Sequence, residues 1–250
     1  ESYYTPPAES LQEIQIIRGA ASLQYGTQFG GLVNFIFKEP IKEKPLEILT
    51  RNSIGSFNLF TNFTSLSGTN KKLSYYTFFN FKEGKGFRPN SNFNSKNIFF
   101  NINYNINKNS KLKFDITYLK YLSKQAGGLS DKMFLENPFQ SNRERNWFGL
   151  DWLIYNLNFS HKINSKTNLN ISLFGLNAKR NSLGFRTNRV DQIDPINERD
   201  LINGDFNNFG GEIRLLSNYK FFNYKSPFLI GLKIYNSNNK SQHGPGSGGY

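Results

Sequence analysis

Residues 14–38, IQIIRGAASLQYGTQFGGLVNFIFK, contain the pattern that decides the fold. They predict a short strand over residues 13–17, a turn at Arg18-Gly19, and a second strand over residues 32–38. A small-residue stretch and the pair Gly30-Gly31 separate the two strands. Glycine adopts positive φ and allows another backbone to approach closely. We therefore expect two short strands joined by a glycine-dependent corner.

This segment resembles the end of the plug domain of TonB-dependent outer-membrane receptors. The family signature has Ile-Arg-Gly, Ser, Tyr-Gly, Gly-Gly and Asn in this order, and Ala20 stands where it usually has Pro. The sequence ASLQYGTQFGGLVNF, residues 21–35, is similar to that of the ferric-citrate-type branch of the family. The matching residues are Ile17, Arg18, Gly19, Ser22, Tyr25, Gly26, Gly30, Gly31 and Asn34.

Residues 39–44, EPIKEK, are polar and contain Pro40, and we interpret them as a linker. After them the sequence pattern changes to strands joined by alternating short and long connections. Residues 1–38 would then be the C-terminal part of a plug domain, and residues 45–250 the first part of a transmembrane antiparallel β-barrel. The fold class is all-β. A barrel that holds a plug has about 22 strands. Roughly nine are predicted here, so we expect further sequence before Glu1 and after Tyr250.

Several of the nine predicted strands show alternation of apolar and polar residues. Ile98, Phe100 and Ile102, for example, alternate with Asn101 and Asn103, which predicts one lipid-facing and one lumen-facing side. Strands of about 10–12 residues suit a tilted crossing of a bilayer. The predicted strands are residues 45–55, 58–67, 72–82, 96–106, 111–122, 148–163, 168–177, 208–219 and 227–237.

The connections between these strands alternate in length. Residues 68–71, 107–110 and 164–167 are short and rich in turn-forming Asn, Ser, Thr and Gly. Residues 83–95, 123–147 and 178–207 are long. Outer-membrane barrels place short turns on the periplasmic side and long loops outside. We therefore expect the three long segments to be extracellular.

The composition limits the classes of function. The 250 residues carry a net charge of +13 and 16% aromatic residues, and there is no cysteine. The basic excess suits an anionic lipid surface, an anionic ligand or nucleic acid. A nucleic-acid binder would not explain the long amphipathic strands, so we expect no nucleic acid. No run approaches 18 apolar residues, so no transmembrane helix is expected.

Arginines are the main candidates for ligand binding, since their planar donors suit carboxylates. Residues 130–148, SDKMFLENPFQSNRERNWF, also resemble the corresponding loop of ferric-citrate-type receptors. Tyr3 and Tyr4 are weaker candidates, because plug loops of the family face the ligand vestibule. The resemblance also gives Arg18 a plug-to-barrel salt-bridge lock, with Glu212 as a candidate partner. The candidate ligand residues in the loops are Arg88, Arg143, Arg145, Arg180, Arg186 and Arg189.

No catalytic set is evident, and we expect neither enzyme activity nor a resident cofactor or metal. His161 and His243 have no carboxylate or cysteine at metal-ligand spacing. The resemblance implies a Gram-negative outer-membrane receptor that imports a ferric chelate. Its partners would be TonB with its inner-membrane complex, lipopolysaccharide and outer-membrane lipid, and a surface lipoprotein or larger complex. Alternatives are an importer of oligosaccharide, peptide or haem, or a barrel with a structural role.

Overall fold

The computed structural model describes residues 4–19, 30–185, 190–194, 196–222 and 224–246, which form two antiparallel sheets. The small sheet pairs β1 (Leu11–Ile17) with β2 (Leu32–Phe37). In the large sheet each strand pairs with the next one along the chain, in the order β3 to β11. Its strands are β3 (Glu47–Gly55), β4 (Leu59–Asn70), β5 (Leu73–Gly84), β6 (Phe93–Asn105), β7 (Ser110–Lys124), β8 (Trp147–Lys162), β9 (Thr167–Gly184), β10 (Arg199–Phe221) and β11 (Tyr224–Gly246).

The all-β fold class and all nine predicted strands of the large sheet are confirmed. Several strands extend further than predicted. β9 continues to Gly184 instead of residue 177, and β10 begins at Arg199 instead of residue 208. Most side chains in these extensions are polar on both faces, so period-two alternation disappears while backbone pairing continues, as between Leu183 and Leu201.

The connections are sorted by length between the two rims of the large sheet. The short-loop rim carries residues 71–72, 106–109 and 163–166 and the turn between β10 and β11. The long-loop rim carries three long connections, which are residues 85–92, residues 125–146 and the connection between β9 and β10. One short connection, residues 56–58, also lies at the long-loop rim. A helix that the sequence did not indicate, α1 (Asp131–Glu136), is capped by the Ser130 hydroxyl. No helix within the described ranges is long and apolar enough to cross a membrane.

The two faces of the large sheet differ in chemistry. We call the face against which β1 and β2 pack the inner face, and the opposite one the outer face. On β6 the outer face exposes Ile98 and Phe100, whereas Asn97, Asn101 and Asn103 of the inner face are buried. The predicted alternation on this strand is therefore confirmed.

The core lies where β2 meets the inner face of β4, β5 and β6. Phe63, Tyr76, Phe78 and Phe99 form a buried aromatic cluster there, and Phe37 of β2 packs against it. The Phe37 and Phe99 rings are stacked, with centroids 4.3 Å apart. Aromatic contacts of this kind add to the free energy gained by burial of apolar area. The small sheet is thus attached to one part of the wall by apolar contact.

Candidate functional site

The connection between β1 and β2 depends on glycine at two described positions. Gly19 has φ of +78° and Gly31 has φ of +103°. A Cβ atom at Gly31 would lie 2.4 Å from the Ile17 carbonyl oxygen, so no other residue fits without movement of the backbone. Asn34 joins the strands from its side chain, which donates to Gln15 Oε1 at 3.0 Å. Tyr25 and Gly26, also predicted motif positions, lie outside the described residues.

Arg18 follows β1 directly and its side chain is exposed. The pairing that we considered between Arg18 and Glu212 is absent from the described part of the chain. Both carboxylate oxygens of Glu212 instead accept hydrogen bonds from the Arg214 guanidinium, at 2.7 and 2.8 Å. The physical reason is distance along the wall, because the small sheet packs on β4 to β6 while Glu212 lies on β10. A lock through another partner stays a prediction.

Tyr4 precedes β1 and is half-buried against the wall. Burial raises the pKa of its hydroxyl to about 12, an effect that the Asn97 side chain on β6 partly offsets. The hydroxyl is therefore neutral and lies beside Asn97 of the inner wall. A role of Tyr4 in ligand binding stays a prediction. Tyr3, the other tyrosine candidate, lies outside the described residues.

The long connections at the long-loop rim are joined to one another by side chains that donate to backbone carbonyls. Arg88, from residues 85–92, donates to the carbonyl oxygens of Gly127 and Gln140. Asn90 donates to the carbonyl oxygens of Arg143, at 2.6 Å, and Asn146, at 3.2 Å. These contacts tie the first long connection to the second.

Arg143 and Arg145, the two arginines of the resembling loop, tie the second long connection to the third. Arg143 is only 5% exposed and donates to the Gln192 carbonyl at 3.1 Å. Its guanidinium carbon also lies 5.1 Å from the centre of the Phe185 ring. Arg145 donates to the carbonyl oxygens of Ile196 and Asn197, both at 2.9 Å. Both side chains therefore order the loops.

The remaining arginine candidates are placed differently. Arg180 lies on the inner face of β9, half-buried, with Leu150 and Gly204 opposite it on the neighbouring strands. This puts it on the inner wall below the loops. Arg186 and Arg189 lie outside the described residues.

An ion pair that was not among the predicted sites joins the third long connection to the first residue of β10. Arg199 is 5% exposed and its guanidinium contacts the Asp194 carboxylate at 2.5 Å. Burial raises the pKa of Asp194, while the positive charges of Arg143 and Arg145 act in the opposite direction. The pair lines a cavity of about 550 Å³ between the second and third connections. Asp194 was missed because nothing in the local sequence marks it as the partner of Arg199.

The inner face below the loops is polar along most of β6 to β9. Asn103 donates to Asn101, and Asn101 donates to Asp115 on β7. Asn158 of β8 donates to Asn170 and Ser172 of β9, at 2.9 and 2.7 Å. In the ranges that the structure describes, no group of three histidine, aspartate or glutamate residues is placed to hold a metal ion.

An apolar patch interrupts this polar surface on β8 to β11. Phe174 and Tyr235 have stacked rings with centroids 6.4 Å apart, and Lys233 Nζ lies 5.3 Å from the centre of the Phe174 ring. Trp152, Ile154 and Leu176 join them in a groove of about 500 Å³. Unlike the cluster around Phe78, this patch remains accessible, with Tyr235 54% exposed.

Comparison with known proteins shows what the fold is similar to. The chain superimposes on the ferric citrate transporter FecA in its unliganded form, with 18% identity, a TM-score of 0.78, and coverage of 94% of this chain and 35% of that one. It also superimposes on BauA, the ferric preacinetobactin receptor of Acinetobacter baumannii (11% identity, TM-score 0.77, coverage 94% and 37%). A third similar structure is the ferripyoverdine receptor of the outer membrane of Pseudomonas aeruginosa (13% identity, TM-score 0.76, coverage of 94% of this chain and 33% of that one).

These similarities confirm the fold that the resemblance led us to expect. The three proteins are, by their descriptions, a transporter and two receptors, and each handles a ferric chelate. The chain spans about a third of the length of each of them, as the coverages of 35%, 37% and 33% state. The sequence matches no protein-family model and no curated protein.

Proposed function

We propose that the chain is part of a TonB-dependent receptor in the outer membrane of a Gram-negative bacterium, and that this receptor imports a ferric chelate. Residues 1–38 are the C-terminal part of its plug, residues 39–44 the linker, and residues 45–250 the first strands of the barrel. The energy for import comes from TonB and its inner-membrane complex. The chain binds and releases its cargo without covalent chemistry.

The observation that carries this proposal is the fold, which is shared over 94% of the chain with a ferric citrate transporter. The order of the plug residues from Ile17 to Asn34 supports the same conclusion independently, because it comes from the sequence. The sorting of short and long connections between the two rims further supports an orientation with the long-loop rim outside.

We assign the chelate a carboxylate character, with ferric citrate as the first candidate. Five of the six candidate arginines belong to the long connections and the sixth, Arg180, lies on β9 below them. Charge-assisted hydrogen bonds to carboxylates are about twice as strong as neutral ones. Arg143 and Arg145 contribute by ordering the mouth, since their guanidinium groups donate to carbonyls of the third connection. Arg180, on the inner wall, is our first candidate for contact with the chelate, followed by Arg186, Arg189 and Arg88.

The test is equilibrium binding of ferric citrate to the purified full-length protein. Replacement of both Arg143 and Arg145 by Gln should weaken binding about tenfold or more, because the mouth loses its charged hydrogen bonds. The matched control is Lys108→Gln with Lys166→Gln, which removes the same charge at the short-loop rim and should leave binding unchanged. Absence of binding by the wild-type protein at millimolar chelate would overturn the assignment of ferric citrate as the substrate. It would leave the assignment of the chain to a receptor standing.

A further inference from the structure

Charged residues form a continuous row across the outer face of six neighbouring strands. The strand register places each of them directly opposite the next, from β6 to β11, near the long-loop rim. Four of the six are lysines, so the row has a net positive charge. Its members are Lys96, Lys120, Asp151, Lys179, Asp205 and Lys240.

The row begins with two like charges. Lys96 and Lys120 are directly opposite each other on β6 and β7, and both are exposed. Directly opposite residues have Cβ atoms about 4.5–5.5 Å apart, and like charges in such a pair are destabilising. Lys179, by contrast, lies between Asp151 and Asp205. Lys120 also has Asp151 opposite it on β8, whereas Lys96 lies between Phe81 and Lys120. The first three members, two lysines and one aspartate, therefore carry a net charge of +1, and the excess is at Lys96.

A groove of about 790 Å³ runs along this row. Asn94, Asn181 and Asn203 line it together with Lys96, Lys120, Lys179 and Asp151, so three ammonium groups and one carboxylate face it. Gly149 leaves room in its floor because it has no side chain. Asparagine amides both donate and accept hydrogen bonds, as sugar hydroxyls do. The groove thus combines cations with groups suited to a polyhydroxylated molecule.

The height of the groove relative to the apolar band of the outer face indicates which part of the membrane it faces. Immediately below the row, the outer face presents Phe79, Ile98, Tyr118 and Leu153, which are opposite one another on β5 to β8. Apolar residues continue down β6 as far as Tyr104. In a transmembrane barrel an outward apolar band about 25 Å tall faces lipid. The lysines therefore lie at the upper boundary of that band, at the height of the lipid headgroups.

We propose that the groove binds the phosphorylated sugar headgroup of a glycolipid of the outer leaflet. The ammonium groups of Lys96 and Lys120 hold its phosphates, the asparagines bind its hydroxyls, and its acyl chains lie along Ile98 and Leu153. This inference rests on the outer-membrane location proposed above, but it does not depend on which chelate is imported. It gives a role to Lys96 and Lys120, which the proposed binding of the chelate does not use.

The test uses the purified full-length protein and bisphosphorylated lipid A as the probe, with the bound lipid counted by native mass spectrometry. The Lys96→Gln, Lys120→Gln double variant should bind it about thirtyfold more weakly, from the usual contribution of each lysine near an anionic membrane surface. The matched control, Lys111→Gln with Lys162→Gln, removes two lysines from the inner face of β7 and β8. It should bind as the wild-type protein does.

Two further measurements keep the result interpretable. Heat-modified mobility on gels establishes that both variants insert as folded barrels, and ferric citrate binding in the same samples separates this proposal from the proposed function. Equal lipid binding by the double variant and the control would overturn the proposal. Equal binding of phosphatidylglycerol and lipid A by the wild-type protein would also overturn it, because the groove would then recognise any anionic surface.

Discussion

The inner walls formed by β4 to β6 and by β8 to β11 both carry aromatic residues, but their surroundings differ. On the first wall Phe78 and Phe99 are 2% and 4% exposed, because Phe37 of the small sheet packs over them. On the second wall Tyr235 is 54% exposed and nothing in the described part of the chain covers it. The covered wall also buries polar neighbours such as Asn97. An inner-face residue is therefore buried where another part of the chain, such as the small sheet, packs over it, and its own strand has little influence on its burial.

Truncation of an aromatic residue should give the largest difference between the two walls. Phe78→Ala should lower the free energy of unfolding by about 3–5 kcal/mol, because it leaves a cavity in a closed cluster. Phe174→Ala, on the open wall, should cost about 1 kcal/mol or less, because its ring is only half-buried. Urea unfolding of the full-length protein in lipid bilayers measures both. Equal losses would mean that the second wall is covered in the full-length protein.

The second prediction compares the two faces of the open wall at neighbouring positions of β9. Leu173 is 45% exposed on the outer face, and Ser172 points to the inner face. Leu173→Arg should cost about 2–4 kcal/mol in a bilayer, because a charge at the lipid-facing midplane is poorly solvated. Ser172→Arg should cost less than about 1 kcal/mol if the open groove beside it admits water. Similar losses in folding titrations would contradict the assignment of the faces.

The third prediction concerns the cover of the first wall. Gly31→Ala should destabilise the corner between β1 and β2 by about 1–3 kcal/mol, because of its positive φ and the contact with the Ile17 carbonyl. Gly30→Ala is the matched control, since a Cβ atom there would have no atom of the described residues within 4 Å. It should change stability by less than about 0.5 kcal/mol. Hydrogen exchange of the β1 and β2 amides distinguishes the two. Faster exchange in both variants would show that the corner is sensitive to any side chain.

The strands of the large sheet were predictable because their signal is local. Alternation of residues such as Ile98 and Asn101 indicates which face each side chain occupies, and turn-forming residues mark the ends. The signal disappeared where both faces meet polar surroundings, so the sequence understated β9 and β10 near the long-loop rim. Helix α1 was missed because six residues are too few to show a helical period.

The sequence by itself determined the all-β class, the number of strands in the large sheet and the glycine-dependent corner, since each of these rests on neighbouring residues. Only the tertiary structure decided which side chains contact residues distant in the sequence, and what those contacts do. Arg143 was predicted as a ligand residue, yet its guanidinium donates to the carbonyl of Gln192, 49 positions further along the chain. Lys96 and Lys120 form a pair only through the register of β6 and β7. Such partners are set by the pairing of whole strands, which local sequence does not encode.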